Sequence, residues 1–166
     1  RINLVDEAIT ISTIAPYSPT EPGQLIATVK IIPFAVHETT LSKCEEIAQQ
    51  SSRLFAVAPY QNQRVGLLQT VLANFRKSLL KKGVEVTSAR LAGMGLKLSL
   101  EKTAEHNKAA INKALSEFQQ AKCDILFILG ASAIADRRDV VPDAIVTAGG
   151  EILQLGMPVD PGNLTL

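Results

Sequence analysis

A near-continuous apolar run, DILFIL, occupies residues 124–129, and the small-residue sequence GASAIA follows it at 130–135. An apolar run without polar alternation is typical of a central parallel strand that is covered on both faces. A helix is predicted next, at 140–148, because Pro142 is tolerated in a first turn and the Gly-Gly pair at 149–150 ends the pattern. A strand, a loop and a returning helix are the basic unit of a parallel α/β sheet.

The same alternation continues on both sides of this unit. Upstream, Thr103 is predicted to cap a helix that runs to about Ala121. Its apolar stripe has i, i+3, i+4, i+7 spacing and consists of Ile111, Ala114, Leu115 and Phe118. Downstream, a strand is predicted at 151–155 and a stiff turn at 157–163.

Shorter elements are predicted between residues 64 and 100. They are a strand at 64–69, a helix at 72–82 that Gly83 ends, and a strand at 96–100. Residues 84–86 are either a further strand or the approach to a second helix around 88–92. Gly93 and Gly95 then interrupt the helical pattern.

The first third of the chain is rich in β-branched residues. Strands are predicted at 8–14 (AITISTI) and 25–32 (LIATVKII), with a proline-studded connection between them. A short helix at 41–50 and a strand at 54–57 follow. The polar sequence after Pro59 indicates a boundary, so we expect a β-rich segment at 1–60 and a second domain at 61–166. The predicted fold class is α/β, a three-layer and mostly parallel sheet preceded by the small β-rich segment.

Composition excludes several classes of protein. The chain has 166 residues, a net charge of +1 and 46% hydrophobic residues, so a nucleic-acid footprint is not expected. Its 2 cysteines provide neither a disulfide framework nor a cysteine-based zinc site. No apolar run approaches the roughly 20 residues of a membrane helix, and the first residues lack a signal-peptide core. We therefore expect a cytoplasmic protein without a membrane partner, and both ends suggest a piece cut from a longer chain.

The loop after residue 129 is the candidate binding site. In open α/β sheets, ligands bind beyond the carboxyl ends of the strands. Main-chain N–H groups of Gly130, Ala131 and Ser132 could hold a phosphate, and the Ser132 hydroxyl could add a donor. Arg137 or Arg138 could bind an anion, while Asp139 could hold a divalent cation or orient a nucleophile.

Plain structural roles fit the same residues. Asp139 is well placed to cap the helix that begins at residue 140, and one of the two arginines could simply pair with Asp136. The small residues could serve only tight packing. The motif is neither a P-loop nor a dinucleotide fingerprint, since GK[ST] and G-x-G-x-x-G are both absent.

Residues 124–162 resemble the molybdopterin-binding domain of molybdenum-cofactor biosynthesis proteins, the MoaB/Mog type. The sequence RDVVP at 138–142 is similar to the family's Arg-Asp-Val-x-Pro context, and LGAS at 129–132 stands where its glycine loop lies. Pro161-Gly162 is similar to the family's later Pro-Gly turn, and RVGLL at 64–68 to its first strand. The resemblance covers residue 64 to the end and is closest to a bacterial variant that is fused to a nucleotidyltransferase-like domain.

The resemblance implies molybdopterin as the ligand, with Mg²⁺ and a nucleotide (ATP or CTP) as further cofactors. It implies that Asp139 is the catalytic and metal-binding aspartate. The implied ligand-binding residues are Gly130, Ala131, Ser132, Asp136, Arg137, Arg138, Pro161 and Gly162. A fused or partner nucleotidyltransferase domain and a homo-oligomer are the implied partners.

Three departures separate the chain from the family pattern. Ala131 replaces the second glycine, Asp160 replaces a basic residue, and Glu105-His106-Asn107 stands where a second acid is expected. A lost carboxylate removes a metal ligand, whereas a main-chain grip on phosphate survives side-chain change. These departures favour binding over catalysis.

Three hypotheses follow. The first is a module that binds molybdopterin, or a nucleotide-bearing form of it, for a nucleotidyltransferase. The second is an enzyme that adenylates molybdopterin or inserts molybdate, with this nucleotidyl or molybdenum transferase activity in the full-length protein. The third is a structural or assembly domain without a working site. Of the histidines, His37 is expected at the surface and His106 as a solvated neighbour of the site.

Overall fold

The computed structural model describes residues 1–50 and 54–166, and these residues form two compact units, Arg1–Pro59 and Tyr60–Leu166. The predicted strand at 54–57 is wrong, because these residues form no strand. Among the described residues, no helix combines the length and the apolar character needed to cross a bilayer.

The described part of the first unit contains a short 3-10 helix (Ile2–Leu4), a two-stranded antiparallel sheet and an α-helix. Strand β1 (Ile9–Thr13) pairs with β2 (Ala27–Ile31), from Ile9 opposite Ile31 to Thr13 opposite Ala27. Helix α1 (Glu38–Gln50) begins three residues before the predicted start at Leu41. A small apolar cluster joins the elements and is made by Ile2, Ile9 and Cys44.

The second unit is an α/β fold with a three-stranded parallel sheet in the order β4-β3-β5. The strands are β3 (Val65–Val71), β4 (Leu98–Glu105) and β5 (Ile125–Leu129). The helices are α2 (Lys77–Ala92), α3 (Lys108–Gln120) and α4 (Val140–Thr147).

The prediction that residues 124–129 are the central strand is wrong. β5 lies at an edge of the sheet, and its Phe127 and Leu129 are each 42% exposed. The central strand is β3, which pairs with both neighbours and is buried from Val65 to Thr70. Apolar runs also occur in edge strands. The order of the strands is set by contacts between them, and the sequence of one strand does not show these contacts.

Two predicted helix boundaries are also wrong. Helix α2 begins at Lys77 and continues through Gly83. A Cβ at Gly83 would collide with the Gln69 side chain of the sheet, so this glycine serves close packing and does not end the helix. Thr103 lies in β4 opposite Gln69, and the cap of α3 is Asn107, whose side chain accepts the N–H of Ala110 at 2.9 Å.

Helices cover both faces of β3. Leu68 packs in a cluster with the predicted stripe of α3 and with α4, whereas Val65 packs with Leu91 of α2 on the opposite face. The stripe itself is confirmed, because Ile111, Ala114, Leu115 and Phe118 are all buried. Residues 151–155, which we predicted as a strand, form none.

Candidate functional site

The site is built at the carboxyl ends of the three parallel strands. Thr70 lies near the end of β3, His106 follows β4 directly, and the loop of residues 130–139 follows β5. Because parallel strands end at the same edge of a sheet, the topology brings these three segments together. The loop after residue 129, which the sequence analysis named as the candidate binding site, lies at this edge.

Thr70 holds the start of the loop. Its side chain is 1% exposed, and its Oγ1 accepts the main-chain N–H of Ala131 at 2.8 Å. A Cβ on Gly130 would lie 3.1 Å from the carbonyl oxygen of Ser132, so this tight turn favours glycine. The amide of Ala131 is therefore already used by the protein, which corrects the expectation that it is free for a phosphate.

His106 connects β3 to the loop. Its Nδ1 lies 2.8 Å from Thr70 Oγ1, and its Nε2 lies 2.9 Å from Ser132 Oγ. Its own main-chain N–H donates to the carbonyl of Val71 at 2.8 Å. The sequence placed His106 near the site but missed both side-chain contacts and did not identify Thr70, because these partners are 36 and 26 residues from His106 along the chain.

The carboxylate of Asp139 is fixed within the loop. Its Oδ2 accepts the main-chain N–H groups of Ala135 at 2.7 Å and Asp136 at 2.9 Å. These two hydrogen bonds hold the pKa of Asp139 below its usual value, because they stabilise the charged form. Asp139 does occupy the N-cap position of α4, yet its side chain makes no capping hydrogen bond to that helix, which corrects the predicted capping role.

The predicted pairing of one arginine with Asp136 is confirmed for Arg138. Asp136 Oδ1 accepts the main-chain N–H of Arg138 at 2.7 Å and its Nε at 3.2 Å. These bonds lower the pKa of Asp136. The Arg138 side chain is otherwise 91% exposed, so its terminal nitrogens face solvent. Arg137 instead donates from Nη1 to the carbonyl of Ile152 at 3.2 Å.

Pro161 and Gly162 lie in a separate turn. The carbonyl of Gly162 accepts the N–H groups of Met157 and Thr165, so the hydrogen bonds of this turn close within its own segment. Among the described residues, no hydrogen bond joins either residue to the loop of residues 130–139. The other predicted ligand-binding residues all lie in the loop of residues 130–139.

Few protein side chains are placed to bind a divalent cation at this site. Within residues 1–50 and 54–166, no group of three or more His, Cys, Asp or Glu side chains is arranged to hold a metal. Mg²⁺ is commonly held by one or two carboxylates together with water and substrate phosphates. Asp139 Oδ1 has no protein hydrogen-bond partner in the part of the chain described, so this atom fits a single-carboxylate role.

A cavity of about 290 Å³ lies elsewhere in the second unit. It is lined by Gln69, Leu80, Lys81, Val84, Glu101, Lys102 and Thr103, between α2 and the sheet. None of the predicted site residues lines it. The loop after β5 is therefore not part of this cavity.

Comparison of the chain with models of known protein families, with curated proteins and with solved structures gives no match.

Proposed function

We propose that the chain binds molybdopterin, or a nucleotide-bearing form of it, as a binding module for a nucleotidyltransferase domain. The observation that carries the proposal is the carboxylate of Asp139 at the carboxyl end of the parallel sheet. Main-chain amides fix one of its oxygens, and its other oxygen has no protein partner among the described residues. The resemblance of residues 124–162 to the MoaB/Mog type supplies the ligand class.

The groups that would contact the ligand differ in part from the sequence expectation. The Ala131 amide is already hydrogen-bonded to Thr70, so it would not bind a phosphate. The Ser132 hydroxyl and the exposed Arg138 guanidinium would bind the phosphate instead. Arginine binds phosphate oxygens well because its terminal N–H groups match their geometry. Asp139 would hold Mg²⁺ when the ion accompanies a phosphate group, and the ion would neutralise part of the phosphate charge.

Binding is favoured over catalysis by the composition of the site. Asp139 and Asp136 are its acids, and Asp136 is already paired with Arg138. The family's second acid falls in the segment Glu105-His106-Asn107, where the Glu105 carboxylate accepts the side-chain N–H of Asn107 at 2.9 Å. Asp136 is paired with the Arg138 side chain, and Glu105 is bonded to the Asn107 side chain. The Asp139 carboxylate, by contrast, is held by main-chain amides and carries no side-chain partner among the described residues, so we propose it as the ligand of a cation.

A calorimetric titration of the full chain with molybdopterin tests the proposal. We expect Asp139→Asn to weaken binding about tenfold or more in the presence of Mg²⁺, since one charge-assisted contact is worth roughly 1.5–3 kcal/mol. Asp124→Asn is the matched control, because its carboxylate also accepts a main-chain N–H, from Arg64 at 2.8 Å, but at the opposite end of β5.

Each outcome of this titration is decisive. Binding that both variants retain equally would contradict the role of Asp139. Turnover of molybdopterin with Mg-ATP would replace the module by the enzyme hypothesis. Absence of binding by the unmodified chain would leave the structural or assembly role.

A further inference from the structure

Ser132, His106 and Thr70 form a continuous chain of hydrogen bonds at the site. Ser132 Oγ lies 2.9 Å from His106 Nε2, and His106 Nδ1 lies 2.8 Å from Thr70 Oγ1. Ser132 is exposed, His106 is half-buried and Thr70 is 1% exposed. An accessible hydroxyl, an imidazole and a buried group that orients the imidazole are the parts of an activated nucleophile.

One arrangement of the protons at Thr70 is compatible with a role of His106 as a base. The Thr70 hydroxyl faces the carbonyl of Leu129 at 3.5 Å, a long but available acceptor for its proton. Its two lone pairs then accept the N–H of Ala131 and the Nδ1–H of His106. In that arrangement the Nε2 atom of His106 carries no proton and accepts the hydroxyl proton of Ser132.

We propose that Ser132 is a nucleophile for which His106 is the general base, and that the chain cleaves small carboxylic esters through an acyl-serine intermediate. Ser132 Oγ forms a bond to the ester carbonyl carbon while its proton moves to His106 Nε2. The bond from that carbon to the leaving oxygen breaks, and the leaving oxygen takes the proton from Nε2. Water then forms a bond to the acyl carbon while giving a proton to Nε2. The bond from that carbon to Ser132 Oγ breaks, Oγ takes the proton back from Nε2, and the acid is released.

Thr70 is a positioning residue in this scheme, because it acts only through His106. Ser132 also belongs to the proposed phosphate site, so the two proposals share this residue, but ester cleavage requires no bound pterin. Loss of molybdopterin binding would leave it intact, and loss of ester cleavage would leave the binding proposal intact.

The full chain is treated with 4-nitrophenyl acetate and, separately, with a fluorophosphonate probe, and the labelled peptide is identified by mass spectrometry. We expect the label on Ser132 and its loss in Ser132→Ala. Ser116→Ala is the matched control, because Ser116 is also exposed but its Oγ donates to the carbonyl of Asn112 and faces no histidine. A label on another residue, or equal ester cleavage by Ser132→Ala, overturns the proposal.

Two further variants test the roles of the partners. We expect His106→Gln to lower the labelling rate by about 100-fold or more, the usual contribution of a general base. Thr70→Val removes the hydroxyl but keeps the shape of the side chain, and it should lower the labelling rate. Thr70→Ser keeps the hydroxyl, and its labelling rate should be close to that of the unmodified chain. The thermal unfolding midpoint of each variant shows whether it is folded. If the folded His106→Gln variant is labelled at an unchanged rate, His106 is not the general base.

Discussion

The ring of Phe118 on α3 lies directly against Gly66 on the central strand β3, so that a Cβ at Gly66 would be 2.6 Å from Phe118 Cδ1. Both residues are buried, and Phe118 is 2% exposed. The missing side chain lets the helix approach the sheet closely at this point. The contact holds the last turn of α3 against the start of β3.

Gly66→Ala is therefore expected to destabilise the protein. The added methyl group overpacks the contact with Phe118, and such overpacking costs about 1–3 kcal/mol in the free energy of unfolding. Urea unfolding measures the change. Gly93→Ala is the control, because a Cβ there would meet its nearest atom at 3.5 Å, an ordinary contact. Equal stability of the two variants would show that Phe118 has room to move.

Ile111→Ala tests the apolar stripe of α3. Ile111 is fully buried against Leu68 and its neighbours, so truncation leaves a cavity and should cost about 2–5 kcal/mol. Lys113→Ala, on the exposed side of the same helix, should change stability little. A change below 1 kcal/mol for Ile111→Ala, on the scale of an exposed site, would contradict the packing.

Asn107→Ala removes the cap of α3. The side chain of Asn107 satisfies the N–H of Ala110, and losing such a cap costs about 1 kcal/mol. Thr103→Ala is the informative comparison, because Thr103 is exposed in β4 and caps no helix. Unfolding curves that shift for Thr103→Ala but not for Asn107→Ala would restore the boundary that the sequence predicted.

The free energy of unfolding should depend on pH through Asp139. Two main-chain N–H groups lower its pKa in the folded state, so near the ordinary value of about 3.9 the unfolded chain binds more protons at this carboxyl than the folded chain does. Its contribution to stability is present above that pH and is lost as the pH falls through the lowered pKa. Asp139→Asn should therefore show a weaker loss of stability below about pH 4, measured by unfolding at a series of pH values. An unchanged acid profile would contradict these hydrogen bonds.

Local sequence was sufficient for much of the fold. The stripe of α3 follows from helical spacing, α4 from a proline in its first turn, and the strands β1 and β2 from β-branched residues on either side of a proline-rich connection. The sequence also located the loop after β5, because apolar strand residues give way there to small and charged ones. These features depend on interactions between residues that are close along the chain, and such interactions leave a periodic or compositional pattern.

Only the tertiary structure decided the order of the strands and the partners within the site. β5 is at an edge and β3 is central because of pairings across the sheet, and Gly83 packs on Gln69 inside α2 where the sequence predicted the end of a helix. Thr70, His106 and Ser132 meet because three parallel strands end at one edge, although the residues are far apart in sequence. Local patterns carry no record of such long-range contacts, since each partner is compatible by itself with many neighbours.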